Sequence, residues 1–480
     1  MTIPCALPRS LQAYRYHPAP SASSRPVRGR LAPSPTGYMH LGNAWAFLLA
    51  WLAVRSAGGT LVLRMEDIDP QRSRPEYARA LVEDLRWLGL DWDEGPAVDG
   101  AIPDAGDMAE QGPCGPYFQS ARTALYDATL DAMDRAGLVY PCYCTRKELR
   151  QLAGAPHVDD AGAPYPGTCR HLSPEERRQR EARGRRACLR LRCPEGRFHF
   201  QDGLLGEQSF TLEDCGGDFA LRRSDGVWAY QLAVVVDDHD MGITHVIRGD
   251  DHVSNTPKQI LIYQALGWEL PVFGHVPMIL GKDRQKLSKR HGARSVVEYQ
   301  NDGLLPHALV NCLVRLGWSH GDQELFSMQE LIDLFDGKNL NSSASAFDPD
   351  KLLWFNAHYL RETPLDDLAR LVLPFIHQKG FTGATEASIE PLVPLYRERA
   401  KNLIELADGI AQLLYKSADL PYDEAGVAKW LTDEGKEHVK VIRDQLAALP
   451  SFDKESIEHV IHSYVESLGV KFKMVAQPVR

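Results

Sequence analysis

The chain has 480 residues, of which 44% are hydrophobic and 25% charged, a composition typical of globular proteins with more than one core. Its net charge of −10 argues against indiscriminate coating of nucleic acid but allows a local basic face. No apolar run reaches the roughly 18–20 residues of a membrane span. The nine scattered cysteines favour a reduced, cytoplasmic protein in which a cysteine cluster is a metal candidate.

The first part of the chain combines a polar extension with a distinctive turn. Residues 1–27 are rich in proline, serine and arginine and lack a hydrophobic signal core, which predicts a disordered extension. Residues 30–43 then carry two prolines and a glycine before His40-Leu41-Gly42 and an apolar helical run. The N-terminus of a helix can bind a phosphate group through its free N–H groups and the positive end of its dipole, and a histidine there can donate to a phosphate oxygen. A plain strand–turn–helix corner with a surface histidine fits the same residues.

Strand and helix patterns alternate from residue 28 to about 100, which predicts an α/β fold with a doubly wound parallel sheet. The predicted elements that follow, in chain order, are a loop at 94–116, a helix at 121–136, an insertion of short segments at about 140–225, and a resumed sheet with an apolar run at 229–236, a strand at 244–247, a helix at 257–266 and a strand at 272–280. Amphipathic helices are predicted at 347–360, 364–377, 389–414 and 457–468.

A second motif lies at residues 282–292, which hold five lysines and arginines and include Lys286-Leu287-Ser288-Lys289. Alone, such a run is usually a solvated surface loop. It follows the His40 turn by about 250 residues, in a chain that returns to its sheet just before it. The pair of motifs, in this order, resembles the two signatures of the class I aminoacyl-tRNA synthetases.

The surrounding residues are similar to the glutamyl-tRNA synthetase group of that class. The similarity rests on residues 30–37, 64–69, 235–239 and 246–249, and it extends over roughly residues 28–480. It implies a Rossmann-type catalytic domain at 28–325 with a zinc-bearing insertion, followed at 326–480 by an all-α region that contacts the tRNA stem and anticodon. Family members usually continue beyond Arg480, so the resemblance also predicts an incomplete last helical part.

The chemistry of such a site is the attack of a glutamate carboxylate on the α-phosphate of ATP, with Mg²⁺ as the expected counter-ion. By resemblance, His40 and Lys289 are the catalytic residues. ATP would be bound by His40, Gly42, Asn43, Lys286, Ser288 and Lys289, and glutamate by Arg30, Ala32, Ser34, Glu66, Tyr230 and Arg248. Arginines can bind the carboxylates of the glutamate substrate through paired hydrogen bonds, and Glu66 can pair with its ammonium group. Glu66 could instead form a strand-end salt bridge, and Tyr230 could be a core aromatic.

Three cysteines of the insertion form a further pattern, Cys142-Tyr143-Cys144 followed by Tyr165 and Cys169. They could be unrelated, but three thiolates and one more donor would fill a closed tetrahedral zinc site. In zinc-bearing members of the resembled family the tyrosine is the fourth ligand. The predicted ligands of one structural Zn²⁺ are therefore Cys142, Cys144, Tyr165 and Cys169, with His171 as the substitute for a distant Tyr165.

Residues 170–192 hold nine arginines and three glutamates. Such a segment is usually a solvated face, but beside this kind of site it could also contact the phosphates of a tRNA acceptor end.

Two related enzymes and one binding protein remain as alternatives. Residues 219–233 and the compact insertion look like the glutamyl-queuosine tRNA(Asp) synthetase, whereas residues 286–293 and 347–356 look like a full bacterial glutamyl-tRNA synthetase. We expect the full enzyme, a monomer that charges tRNA(Glu), with tRNA(Asp) and tRNA(Gln) as alternative partners. A non-catalytic tRNA-binding module on the same fold is the third possibility.

A shift in composition coincides with the change of resemblance. Residues 1–257 contain one lysine, and residues 258–480 contain 15. One codon bias would not normally produce both halves, which suggests a hybrid sequence.

Overall fold

The structure is a computed structural model that describes residues 25–97, 108–145, 147–149, 165–281, 283–285, 294–337, 340–341, 343–415 and 422–479, with the backbone of Arg15–Tyr16. Most of the predicted extension at 1–27, and Lys286, Ser288, Lys289 and Arg290, lie outside the described residues. The chain forms two compact units. The first comprises Met1–Phe375 and Thr385–Leu406, and the second comprises Ile376–Ala384 and Ala407–Arg480.

The strands of the first unit are β1 (Arg15–Tyr16), β2 (Arg28–Leu31), β3 (Thr60–Leu63), β4 (Gly95–Pro96), β5 (Glu110–Gln111), β6 (Val139–Cys142), β7 (Cys188–Leu191), β8 (Arg197–Asp202), β9 (Gly206–Thr211), β10 (Ala220–Arg222), β11 (His245–Gly249), β12 (Val272–Val276), β13 (Ile279–Leu280) and β14 (Ser345–Ala346). Its helices are α1 (Leu41–Arg55), α2 (Pro75–Trp87), α3 (Thr123–Arg135), α4 (Pro174–Ala182), α5 (Tyr230–Asp240), α6 (Thr256–Leu266), α7 (Val296–Asn301), α8 (Pro306–Gly317), α9 (Met328–Leu334) and α10 (Pro349–Glu362). The remaining helices are α11 (Leu365–Gln378), α12 (Glu386–Ile389), α13 (Val393–Tyr396), α14 (Leu403–Leu414), α15 (Glu424–Trp430), α16 (Asp433–Ala447), α17 (Lys454–Leu468) and α18 (Phe472–Val479).

Parallel strands form the centre of the first unit. β2 pairs with β3 and β11 pairs with β12, both in parallel. The Thr244 N–H donates to the Arg28 carbonyl at 2.8 Å, which brings β11 alongside β2. The parallel α/β arrangement predicted from the strand–helix rhythm is therefore confirmed. It brings the carboxyl ends of β2, β3 and β11 to one edge, the usual place for a ligand in such sheets.

Apolar side chains explain why this sheet is stable. Leu61, Val62 and Leu63 of β3 are fully buried, and burial of each contributes about 1.5–3 kcal/mol. α1 buries residues all around its axis, including Trp45 and Trp51, so it lies inside the unit rather than on its surface. The predicted helices at 121–136 and 257–266 are present with small differences at their ends.

Two secondary-structure predictions are wrong. The apolar run 229–236, taken as part of the resumed sheet, lies in the helix α5. Seven consecutive residues of α5 are buried, so its sequence carries no helical period that could reveal it. The single helix predicted at 389–414 is divided into a 3₁₀ turn at Glu390–Leu392, the short helix α13 and the longer helix α14, with a turn at 397–402 between α13 and α14. Pro391 and Pro394 lack the N–H that a continuous helix requires in its first part.

The insertion contains a small antiparallel sheet of β6, β7 and β10, and a hairpin of β8 and β9. The hairpin turn lies against β12, where the Gly203 N–H donates to the Phe273 carbonyl at 2.8 Å. An added Cβ on Gly203 would come within 3.3 Å of that carbonyl oxygen, so glycine permits the close approach.

The regular elements in the described part of the second unit are helices, as the sequence predicts. α16, α17 and α18 share a core that contains Ile442, Val465 and Val475. Thr432 and Asp453 cap α16 and α17 by accepting the N–H groups of Gly435 and Ser456. Within the described parts of both units, no helix is both long and apolar enough to cross a membrane.

Candidate functional site

The turn between β2 and α1 is held in place by backbone hydrogen bonds to the following strand and helix. The Pro33 carbonyl accepts the Glu66 N–H and the Pro35 carbonyl accepts the Arg74 N–H, both at 2.9 Å. Ser34 is exposed and Ala32 is half-buried, so both border the accessible side of the turn.

His40 lies exposed at the residue that precedes α1, with an extended backbone conformation. Gly42 follows it closely, and an added Cβ there would be 3.3 Å from His40 Nδ1. Asn43 is exposed in the first turn of the helix. The positive end of the α1 dipole and the imidazole are therefore both at this turn, as a phosphate site requires.

The residues after the lysine-rich segment meet the same turn. His40 forms an antiparallel bridge with Ser295, and the Val296 N–H donates to the Met39 carbonyl at 2.8 Å. Lys286, Ser288 and Lys289 lie outside the described residues, so their predicted contacts with ATP stay predictions. Ser295, six positions beyond Lys289 in the sequence, is nevertheless paired with His40, the residue that precedes α1.

A buried network of charges occupies the carboxyl ends of β2 and β3. Arg64 is fully buried, with its guanidinium 2.8 Å from Asp238 and 3.1 Å from Glu66. Arg30 lies 3.4 Å from Asp238. Burial raises the pKa of the Glu66 carboxyl, although the charges of Arg64 and Arg30 oppose that shift. The strand-end salt bridge considered for Glu66 is present.

Arg248 at the end of β11 is a buried cation with neutral partners. Its Nη2 donates to Thr256 Oγ1 and Gln259 Oε1, both at 2.8 Å, and its Nη1 lies 3.4 Å from the Tyr230 hydroxyl. Within the described part of the chain, no carboxylate oxygen lies within 4 Å of this guanidinium. Burial lowers the pKa of Arg248, because a cation is less stable away from water than in it.

Tyr230 connects the two groups of charges. Burial raises its pKa, the charge of Glu66 adds to the shift, and Arg248 and Arg30 oppose it. The structure thus brings Arg30, Glu66, Tyr230 and Arg248 to one edge of the sheet. We did not predict Arg64, Asp238, Thr256, Gln259 and His275, which support them. The polar run that follows the strand at 244–247 was the available signal for Thr256 and Gln259.

The three predicted thiol ligands are close together. The sulfurs of Cys142, Cys144 and Cys169 all lie within 4.8 Å of one another. The Tyr165 hydroxyl accepts the Cys169 N–H at 2.8 Å, and the Arg190 guanidinium lies 3.9 Å from the centre of the tyrosine ring. Burial alone would raise the pKa of Cys142, but the Tyr165 hydrogen bond and the charge of Arg190 bring it below its ordinary value.

This donor set fits a closed zinc site, since three thiols and a phenol oxygen can complete a tetrahedron. Tyr165 is held by its backbone, because its N–H donates to the Gly216 carbonyl at 2.9 Å. Gly217 has a φ of +73°, and an added Cβ would be 2.7 Å from the Tyr165 carbonyl, so this contact requires glycine. His171, the predicted substitute, is exposed.

Several arginines of the segment 170–192 already have partners in the insertion. Arg185 makes a two-pronged contact with Glu148, Arg170 pairs with Asp218, and Arg192 lies over the ring of Tyr140. Arg183 and Arg186 are exposed. A contact of this segment with tRNA stays a prediction, and Arg178 is a third exposed arginine of the segment.

Comparison with known proteins gives a consistent result over nearly the whole chain. The catalytic-domain profile of the class I tRNA synthetases (E and Q) matches residues 26–354, and an anticodon-binding-domain profile matches residues 367–480. The glutamate–tRNA ligase of Nitratidesulfovibrio vulgaris Hildenborough is 50% identical over 454 residues, which cover 94% of this chain and 91% of the relative. That of Lawsonia intracellularis is 46% identical over 452 residues, with the same coverage.

Solved structures agree with this similarity. A glutamate tRNA ligase from Elizabethkingia meningosepticum, in complex with its amino acid, has a TM-score of 0.79 at 27% identity and covers 95% of this chain and 92% of its own. The glutamate-tRNA synthetase from Elizabethkingia anophelis has a TM-score of 0.77 at 27% identity, with 95% and 93% covered. The same relatives match on both sides of the lysine shift, so the similarity gives no support to a hybrid origin.

Proposed function

The chain belongs to the glutamate–tRNA ligase family of class I aminoacyl-tRNA synthetases, and we propose that the site at the edge of its parallel sheet activates glutamate with ATP and transfers it to the 3′ end of tRNA(Glu). One observation carries the assignment of the site. Arg248 is a buried arginine with neutral partners, and it lies beside Tyr230 near the carboxylate Glu66. A substrate with two carboxylates and one ammonium would complement these groups.

In this proposal the amino acid is held by charge and the phosphates by the turn. Arg30 and Arg248 bind the two carboxylates, and Glu66 binds the ammonium, with Ala32 and Ser34 bordering the pocket. Arg30 and Glu66 are already oriented by Asp238 and Arg64, so little rearrangement is needed when the substrate enters. All of these residues come from one chain, so a monomer suffices.

The phosphates of ATP would lie at His40 and the start of α1, beside Gly42 and Asn43. Protein groups do little covalent work in such a reaction, which depends on placing two anions together and neutralising developing charge. Lys286, Ser288 and Lys289, which precede Ser295 in the sequence, would bind the leaving pyrophosphate. Mg²⁺ would supply further neutralisation of the phosphate oxygens, and no residue is assigned to it.

The acceptor is the first point to test. We expect ATP–pyrophosphate exchange with glutamate to depend on tRNA(Glu), because full synthetases of the resembled group need tRNA for activation. The measurement compares exchange rates with tRNA(Glu), with tRNA(Asp), and without tRNA. Strong exchange without tRNA would contradict the proposal and favour glutamylation of a modified base in tRNA(Asp). Comparing tRNA(Glu) with tRNA(Gln) in the same assay measures the choice between those two acceptors.

The zinc site gives an independent prediction. Protein purified without chelator is expected to carry about one zinc per chain, because three thiols and a phenol can fill all four tetrahedral positions. Cys144→Ser is expected to lose the metal, and metal analysis by mass spectrometry measures both results. His171→Ala is the matched control and should keep its zinc, since Tyr165 is close to the cysteines. Metal-free wild-type protein, or loss of zinc in the histidine variant, would contradict the ligand set.

A further inference from the structure

A buried carboxylate from the insertion reaches the sheet that carries the proposed glutamate site. Asp202 lies at the end of β8 and is almost completely buried. Its Oδ1 accepts the N–H groups of Leu204 and Leu205, both at 2.9 Å. Its Oδ2 lies 2.5 Å from Nδ1 of His275, which is fully buried in β12. The hairpin turn thus holds the carboxylate firmly and presents one oxygen to the imidazole.

The other side of that imidazole contacts Arg248. His275 Nε2 lies 3.2 Å from Arg248 Nε and 3.0 Å from Thr256 Oγ1. Because arginine Nε always carries a hydrogen, it must donate, and His275 Nε2 must accept. The ring proton is therefore on Nδ1, where it is donated to Asp202. Burial lowers the pKa of His275 and so favours the neutral imidazole that this arrangement requires.

We propose that Asp202 and His275 are positioning residues that orient the Arg248 guanidinium for a carboxylate of the substrate. This inference rests on the role proposed for Arg248. A neutral imidazole can hold the Nε–H without cancelling the positive charge, whereas a carboxylate in the same place would compete with the substrate. The imidazole holds Nε of Arg248, and Thr256 and Gln259 hold Nη2. The remaining nitrogen, Nη1, lies beside Tyr230 and is left for the substrate carboxylate.

The arrangement also links the insertion to the amino-acid site. The hairpin turn lies on β12 through the Gly203–Phe273 hydrogen bond, and the Leu204 side chain packs at Gly274. Asp202 can therefore contact His275 only while the hairpin turn remains packed on β12. A change in the insertion that separates the turn from β12 would remove the contact between Asp202 and His275, and Arg248 would then no longer be oriented by His275.

Asp202→Asn tests the inference with a minimal change in shape. The asparagine keeps an oxygen for the backbone N–H groups but presents an NH₂ group to His275 Nδ1. The ring nitrogen Nδ1 must then accept, so the ring proton moves to Nε2. Nε2–H and the Nε–H of Arg248 would then be two donors that face each other. We expect KM for glutamate to rise about ten- to hundredfold, the scale found when a group that orients a ligating residue is removed. KM for ATP should change less than about twofold. His275→Gln gives a second measurement should the asparagine variant fold poorly, and the double variant should be no worse than the worse single one.

Asp218→Asn is the matched control. Asp218 is another buried carboxylate of the insertion, and it accepts from the Tyr140 hydroxyl at 2.6 Å and from Arg170. We expect it to lower the melting temperature without changing KM for glutamate. An unchanged KM in folded Asp202→Asn and His275→Gln, or an equal rise in Asp218→Asn, would overturn the inference. If Arg248→Gln itself leaves KM unchanged, the proposed role of Arg248 fails; if only the positioning variants do, that role stands.

Discussion

Arg248→Gln is expected to lower kcat/KM for glutamate by about 10²–10³-fold, because it leaves a substrate carboxylate buried without its cation. The glutamine could still donate to a neighbouring hydroxyl, but it could not hold Thr256, Gln259 and His275 together while facing the substrate. The loss should lie mainly in KM for glutamate, with KM for ATP nearly unchanged. Steady-state aminoacylation over a range of glutamate concentrations measures both constants.

Two further variants make this test specific. Arg248→Lys keeps the charge but loses the planar donor fork, so an intermediate loss is expected. Arg197→Gln changes an arginine on β8 whose hydrogen bond to Ser209 is solvent-exposed, and it should leave both constants unchanged. A loss in Arg248→Gln confined to KM for ATP, or equal losses in Arg248→Gln and Arg197→Gln, would contradict the proposed pocket.

The sequence was most informative about functional residues that lie at or just beyond the carboxyl ends of strands. Arg30 lies in β2, Glu66 lies just beyond β3, and Arg248 lies in β11, so a parallel arrangement of these strands brings all three to one edge. The alternating strand and helix patterns predicted that arrangement. The resemblance to a known family supplied the individual roles, which the spacing of the residues alone could not provide.

The supporting residues could not be predicted for a physical reason. Asp202 and Arg248 are 46 positions apart and meet through His275, and nothing local in the sequence marks such a contact. Arg64 and Asp238 likewise depend on the packing of α5 against the sheet, and the buried run in α5 hides its helical character. Charged residues in an apolar context are rarely buried unless paired, so an arginine such as Arg64 between apolar neighbours was the one available hint.

The basic segment shows a different case, in which composition alone does not distinguish a structural role of the arginines from a role in binding tRNA. Nine arginines between residues 170 and 192 suggest a tRNA surface. In the structure, Arg170, Arg185, Arg190 and Arg192 instead contact Asp218, Glu148, Tyr165 and Tyr140. These contacts hold the insertion and its cysteine cluster together, which leaves fewer arginines for nucleic acid than the sequence alone indicates.

His40→Ala is expected to lower the rate of glutamyl-adenylate formation by about 10²–10³-fold, the usual effect of removing one donor to a charge that develops in the transition state. The imidazole lies at the start of α1 beside Gly42, where a phosphate would also meet the positive end of the helix dipole. Lys289→Ala tests the second motif in the same way. Single-turnover assays with tRNA(Glu) present measure the rate, and filter binding measures the affinity for tRNA.

These variants also distinguish an enzyme from a tRNA-binding module on the same fold. An enzyme with the proposed site should lose activation in His40→Ala and Lys289→Ala and keep its affinity for tRNA, because neither residue is assigned to the nucleic acid. His320→Ala, which removes an exposed imidazole stacked on Trp318, should change neither quantity. A binding module would show tRNA affinity in every variant and no adenylate formation in the wild type. Activity that survives both substitutions would mean that the phosphates lie elsewhere, and the turn at His40 would then be a structural corner.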